Sequence, residues 1–174
     1  MDLKTEIKLL EEEVNRLSCM EQAVKIVLNG GYGALGSEYF RWYDETIAEG
    51  ITSTGQVAIR YITNQINDFI NQHSETAGVD YVPSSDTDSV YSVIESIVKK
   101  KWPGIVDIQK LTDNVDEFAN EVMGPYIDER YKVLSTYFNS DHLDRLDMKR
   151  EAIADKFYIR AKKKWTTWIK SKSS

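Results

Sequence analysis

Apolar residues recur at steps of three and four along the start of the chain: Leu3, Ile7, Leu10, Val14, Leu17, Val24 and Leu28. That period belongs to an α-helix with one apolar face. It predicts a helix over residues 3–28, with Asp2 as its N-cap and Gly30-Gly31 as its stop. A second helical period runs from about Asp44 to Gln72, with Ile47, Ile51, Ile59, Ile62, Ile66 and Phe69 on its buried side. Gly50 and Gly55 weaken this helix, as glycines do where a helix packs closely on a neighbour. The period then changes. The stretch "VDYVPSSDTDSVYSVI", residues 79–94, is β-branched and aromatic on both flanks with turn formers between, so it reads as strand, tight turn, strand. A short helix is expected near Ile94 to Lys101, then a long one from about Leu111 to Phe138, kinked at Pro125. Two strands are expected between about Leu146 and Ile169. These elements make one mixed α+β body with a long helix projecting from its start.

Composition narrows the chemistry. The chain has 174 residues, enough for one domain with a core, and a net charge of −6 that offers no global attraction to nucleic acid. The end of the chain departs from that average. From Lys156 to Lys172 the charges are Lys156, Arg160, Lys162, Lys163, Lys164, Lys170 and Lys172, with no acid among them and with Phe157, Tyr158, Trp165 and Trp168 interleaved. Such a ribbon is either a surface for phosphate backbone or a basic tail that keeps the chain soluble. Cys19 is the single cysteine, which excludes an intrachain disulfide and a cysteine-based zinc site and fits a reducing compartment. His73 and His142 are too isolated to ligate a metal together. The first residues are too charged for a signal peptide, and no apolar run is long enough to span a bilayer, so no membrane partner is expected.

Two short stretches carry candidate chemistry. "SSDTDSVY" sets Asp86 and Asp88 one residue apart at the tip of the expected hairpin. Asp and Ser are good turn formers, and a turn is all the stretch needs to be. Two carboxylates aimed at one point also repel each other, and a divalent ion with a taste for hard oxygen, Mg²⁺, relieves the repulsion. The second stretch is "KIVLNGGYG". Lys25 and Asn29 lie four apart on one helix face, where a cation and an amide could grip a triphosphate, and Tyr32 and Gly33 follow directly. Four glycines within residues 30–36, beside aromatics, indicate backbone brought close to something. A surface lysine and a helix-capping asparagine account equally well for Lys25 and Asn29 taken alone.

Taken in order, "KIVLNGGYGALG", "FRWYD", "ITSTGQ", "DTDSVY", "REAI" and "KKKW" resemble the family B DNA polymerases, with the nearest look to the replicative polymerases of tailed bacteriophages. The resemblance covers residues 20–168. It implies an antiparallel palm sheet whose catalytic β-hairpin packs on long helices, plus a projecting fingers helix: residues 1–31 part of the fingers, residues 32–174 the carboxyl-terminal part of the palm. It implies that Lys25 meets the incoming triphosphate with Asn29 beside it, and that Tyr32, next to Gly33, packs on the nascent base pair. Asp88 would bind the catalytic Mg²⁺ ions and Asp86 would lie close by, making these two the catalytic pair, with Glu151 as a further acid near the metals. Arg160, Lys162, Lys163 and Lys164 would touch the primer–template duplex. Gly30 stands where the family has serine, Ser85 where it commonly has glycine, and Trp165 where it has tyrosine.

The family's other metal-binding aspartate belongs to an upstream motif like Asp-x-x-Ser-Leu-Tyr-Pro-Ser, which this sequence does not contain. The resemblance therefore implies an excised fragment, a truncated product or one subunit of a split polymerase. The expected function is template-directed addition of dNMP to a primer 3′-hydroxyl. The expected partners are primer–template DNA, dNTP and a polypeptide carrying the upstream half, in the cytoplasm of a host cell. The alternative is a non-catalytic palm remnant that holds DNA or nucleotide as an interaction module.

Overall fold

The computed structural model describes residues 3–142, 145–161 and 164–172, with the backbone alone at Ala161, Lys164, Trp165 and Lys172. The predicted cap Asp2 lies outside the described residues. The chain divides into two compact units, one reaching to Thr54 and the other beginning at Gly55.

The first unit contains helix α1 (Leu3–Leu35) and the opening turns of helix α2 (Glu45–Ser74). Helix α1 buries no residue, and Leu3, Ile7, Leu10, Val14, Leu17, Val24 and Leu28 all stay exposed. The expected stop at Gly30-Gly31 does not occur: the helix passes through both glycines and ends at Leu35. A glycine in a helix interior costs only about 1 kcal/mol relative to alanine, too little to break a helix this long. The true exit is a chain of tight turns, Ser37 N–H to Ala34 O at 3.0 Å, Phe40 N–H to Ser37 O at 2.9 Å and Asp44 N–H to Leu35 O at 3.0 Å. Asp44 then caps α2, its Oδ1 accepting from the Ile47 N–H at 3.0 Å.

In the second unit the rest of α2 buries Ala58, Ile62, Ile66, Phe69 and Ile70. Ile47 and Ile51, expected on that buried side, are about half exposed at 51% and 49%; both lie in the first unit, before the core of the second begins at Ala58. Next come strands β1 (Ser84–Asp86) and β2 (Ser89–Tyr91), an antiparallel pair, and helix α3 (Glu95–Lys101). Helix α4 (Ile108–Phe118) starts at Asp107, whose side chain accepts from the Gln109 N–H. The single long helix expected here, kinked at Pro125, is instead two helices joined by a π-helical turn. A π-helical turn, Ala119–Met123, absorbs the interruption, and α5 (Gly124–Tyr137) carries Pro125 in its first turn, where a missing N–H is tolerated. A Cβ at Gly124 would come within 3.3 Å of the Ala119 carbonyl, so the turn suits glycine. Strands β3 (Ala152–Ala161) and β4 (Lys164–Lys172) form a second antiparallel ribbon. Among the described residues the fold is α+β, and the strands make two separate two-stranded sheets rather than one palm sheet.

The core joins the α2 residues to Val82, Ile97, Phe118, Ile127, Tyr131 and Leu134. Aromatic contacts thread it: Phe69 lies 4.7 Å from Tyr126 and 6.2 Å from Phe118, and Trp102 meets Phe118 edge-on at 6.1 Å. Tyr91 of β2 stacks on Phe157 of β3 at 5.0 Å, which ties the hairpin to the terminal ribbon. Arg150 pairs with Asp116 at 2.5 Å just before β3.

Burial pushes the Tyr131 phenol up to about 12 from an ordinary value of 10.0, and the Asp147 carboxylate adds to the shift. The folded chain favours the neutral phenol, so this contribution to stability is complete below the ordinary tyrosine value. It is lost as pH rises from about 10 through about 12. Urea melts across that window should show falling stability in the natural chain and a shallower fall in Tyr131→Phe.

Candidate active site

The hairpin is both a tight turn and a carboxylate display. Asp86 ends β1 and pairs in register with Ser89, which leaves Thr87 and Asp88 as a two-residue turn. Thr87 has φ +30°, an unusual value for a residue with a β-branched side chain. Its Oγ1 donates to Asp86 Oδ1 at 3.2 Å, and Ser89 Oγ donates to the Asp86 carbonyl at 3.3 Å. Both bonds are long for a hydroxyl donor, and both aspartates are exposed at the tip of the turn. The strands are only three residues long; β1 begins directly after Pro83, which has no N–H to give to a ladder.

Glu151 immediately precedes β3 and is exposed. Among the described residues no three or more His, Cys, Asp or Glu side chains are grouped so as to hold an ion. The hairpin thus offers a metal its two aspartates, and the structure does not gather Glu151 with them into a three-acid centre.

In the first unit, α1 sets Lys25 and Asn29 on one face and carries Tyr32 and Gly33 in its last turns. The Lys25 ammonium pairs with Glu21 Oε1 at 2.6 Å and holds the Glu21 carboxyl below its ordinary value. Tyr32 is pinned: its hydroxyl lies 2.6 Å from Thr52 Oγ1. Thr52 uses its single proton on the Ala48 carbonyl at 3.0 Å, so Tyr32 is the donor. Sequence reasoning singled out "ITSTGQ" as a stretch but missed the role of Thr52 within it. The available signal was a hydroxyl residue inside a helix, where it usually back-bonds to the preceding turn. A Cβ placed on Gly30, Gly31 or Gly33 would meet no atom within 4 Å, so these glycines answer no packing need among the described residues.

On the terminal ribbon, Arg160 of β3 is exposed. Lys162 and Lys163 lie outside the described residues, and Lys164 is described by its backbone in β4. Lys156 faces Trp168 in register, while Lys170 sits over the Trp168 ring at 5.6 Å and reaches Asp155 at 3.4 Å. Among the described residues no helix is long and apolar enough to cross a membrane.

The family model for DNA polymerase family B matches residues 2–129. The DNA-directed DNA polymerase of Escherichia phage RB69 is 35% identical over 153 residues, which is 87% of this chain and 16% of the phage protein. That of Enterobacteria phage T4 is 38% identical over 134 residues, 75% of this chain and 14% of the phage protein. The DNA polymerase alpha catalytic subunit of Leishmania donovani is 32% identical over 114 residues, 62% of this chain and 8% of that subunit. The chain belongs to the family B DNA polymerases. It spans less than a fifth of the length of these relatives.

The Tyr32–Thr52 bond is open to direct measurement. Removing its acceptor with Thr52→Val should cost about 0.5–1.5 kcal/mol, the usual net worth of one such bond. In a double-mutant cycle read by urea melts, Tyr32→Phe should add little further loss once Thr52 is gone.

Proposed function

We propose that this chain is part of the catalytic body of a DNA-directed DNA polymerase that adds dNMP to a primer 3′-hydroxyl by a two-metal mechanism. Residues 1–31 belong to its fingers and 32–174 to the carboxyl-terminal part of its palm. The observation that carries the reading is the turn Asp86-Thr87-Asp88, displayed on a hairpin inside a segment that matches family B. Both phage relatives are named DNA-directed DNA polymerases, which supports the same assignment.

The donor set fits Mg²⁺ in part. Asp86 and Asp88 provide hard oxygens one residue apart at an exposed tip, and Glu151 is a further acid that the family resemblance suggests. When bound there, Mg²⁺ supplies charge neutralisation at the attacking and leaving oxygens of phosphoryl transfer. Among the described residues no third acid is grouped with Asp86 and Asp88, so these two would hold the ion together with an aspartate carried by an upstream partner polypeptide. That partner also supplies the remaining palm and the thumb. The working enzyme acts on primer–template DNA and dNTP in the cytoplasm of the host cell.

The other residues take supporting roles. Lys25 gives up an exposed pair with Glu21, worth little in water, for a charge-assisted contact to the triphosphate, with Asn29 beside it. Tyr32, held by Thr52, offers a fixed ring to the nascent base pair, and Gly33 leaves the backbone open to it. Arg160, Lys162, Lys163 and Lys164 grip the duplex backbone, which positions it without reading sequence. A second reading, a non-catalytic module that holds DNA or nucleotide, is favoured by the lack of a third grouped acid among the described residues.

Primer extension with Mg²⁺ separates the two readings. The chain alone should extend nothing, the chain with the upstream polypeptide should extend, and Asp88→Asn in that pair should lose nearly all activity. Full activity in the Asp88→Asn pair would leave the hairpin a mere turn. Duplex binding should be weak and steeply salt-dependent. Changing Lys162, Lys163 and Lys164 to Ala should flatten the slope of log affinity against log salt by about two to three units, one for each lost phosphate contact.

A further inference from the structure

The roles above leave unused a polar hub at the end of α2. The Asn71 side chain donates from Nδ2 to the Val79 carbonyl at 2.7 Å and to the Asn67 carbonyl at 3.0 Å. Its Oδ1 accepts from the Val79 N–H at 3.1 Å and from Thr76 Oγ1 at 3.0 Å. The amide thus pairs with the backbone of Val79 at two points, as a neighbouring strand would. Its own backbone carbonyl accepts from the Thr76 N–H at 2.9 Å. One turn earlier, Asn67 Oδ1 accepts from the Tyr81 N–H at 2.8 Å. The Tyr81 carbonyl in turn accepts from the Val93 N–H at 2.8 Å, on the far side of the hairpin. Past Val93, Ser96 meets Ser74 at 2.6 Å between hydroxyls. Both flanks of the β1–β2 hairpin are therefore attached to the last two turns of α2.

That attachment has work to do. Strands of three residues do not hold a hairpin in place by themselves; its flanks, the packing of Val90 against the core and the Tyr91–Phe157 stack position it. The end of α2 closes through a left-handed residue. Glu75 has φ +56°, a left-handed value for a residue with a Cβ, and Lys100 clamps its carboxylate at 2.6 Å.

We propose that Asn67 and Asn71 are the positioning residues of the aspartate hairpin: they transmit the placement of α2 to Asp86 and Asp88. This rests on the reading of those aspartates as metal ligands. The geometry selects asparagine at position 71. Aspartate lacks the donor for the Val79 carbonyl, glutamine is one methylene too long for the two-point pair, and alanine has neither group.

The test uses the full-length ¹⁵N-labelled chain, with amide exchange and Mn²⁺ line broadening read by NMR. In Asn71→Ala and Asn67→Ala, exchange at Val79, Tyr81, Val93 and the hairpin should speed up roughly tenfold or more, while amides over Ile62–Ile70 keep their protection. Mn²⁺ affinity at residues 84–91 should weaken by roughly tenfold, the usual cost of a lost orienting contact. Asn71→Asp, which keeps the acceptor bonds, should fall between, and it serves if the alanine variant does not fold. The exposed Asn64→Ala is the control and should change nothing. Unchanged exchange in both asparagine variants, or a loss spread evenly over the whole second unit, overturns the proposal. If Mn²⁺ broadening survives Asp88→Asn, the metal reading fails instead, and the exchange data still decide the brace.

Discussion

The burial of one face of α2 is the constraint from which the second unit is built. Ile62, Ile66 and Ile70 are almost wholly removed from water, at 0%, 2% and 0% exposure, and Phe69 beside them is buried among aromatic rings. Each such side chain contributes about 1.5–3 kcal/mol by leaving water, so the rotation of the helix about its own axis is strongly set. Asn67 and Asn71 each follow a buried isoleucine by one position. Once the apolar face is seated, these amides reach the segment that enters the hairpin, and the placement of two exposed aspartates follows from the packing of aliphatic side chains.

Local chemistry shapes the rest of the unit around that helix. α2 and α5 both end with the last backbone bonds closing back on the helix through a left-handed residue, Glu75 and Asn139. Asparagine adopts that conformation easily, while glutamate does so at a cost; its carboxylate pairs with Lys100 at the surface. The π-helical turn before Pro125 is a similar accommodation. It shifts the backbone register where proline cannot donate, and Phe118 and Ile127 on either side both remain in the core.

The first unit is organised differently. α1 buries nothing, and its order comes from backbone hydrogen bonds and exposed pairs such as Arg16–Glu13 and Lys25–Glu21. The Tyr32–Thr52 bond is the side-chain contact that joins its end to the start of α2. The apolar face of α1 stays exposed, and Gly30, Gly31 and Gly33 lie in open space.

Much of this was legible in the residues. The three–four period of α2, the turn formers of "SSDTDS" and the sign of the terminal charges are local properties, and local properties survive being read one residue at a time. The order of the motifs was enough to place the chain in its family. Other features depended on partners distant in the chain. Whether Gly30-Gly31 ends α1 turned on cooperativity along the whole helix. Whether Ile47 and Ile51 are buried turned on where the core begins. The bracing of the hairpin by Asn67 and Asn71 could not be seen in advance, because an asparagine on a helix reads as solvated until the fold brings a backbone amide to meet it. The sequence by itself determined the elements and the chemical groups they carry. Tertiary structure decided which of those groups meet, because hydrogen bonds and burial depend on distances in space that no periodicity encodes.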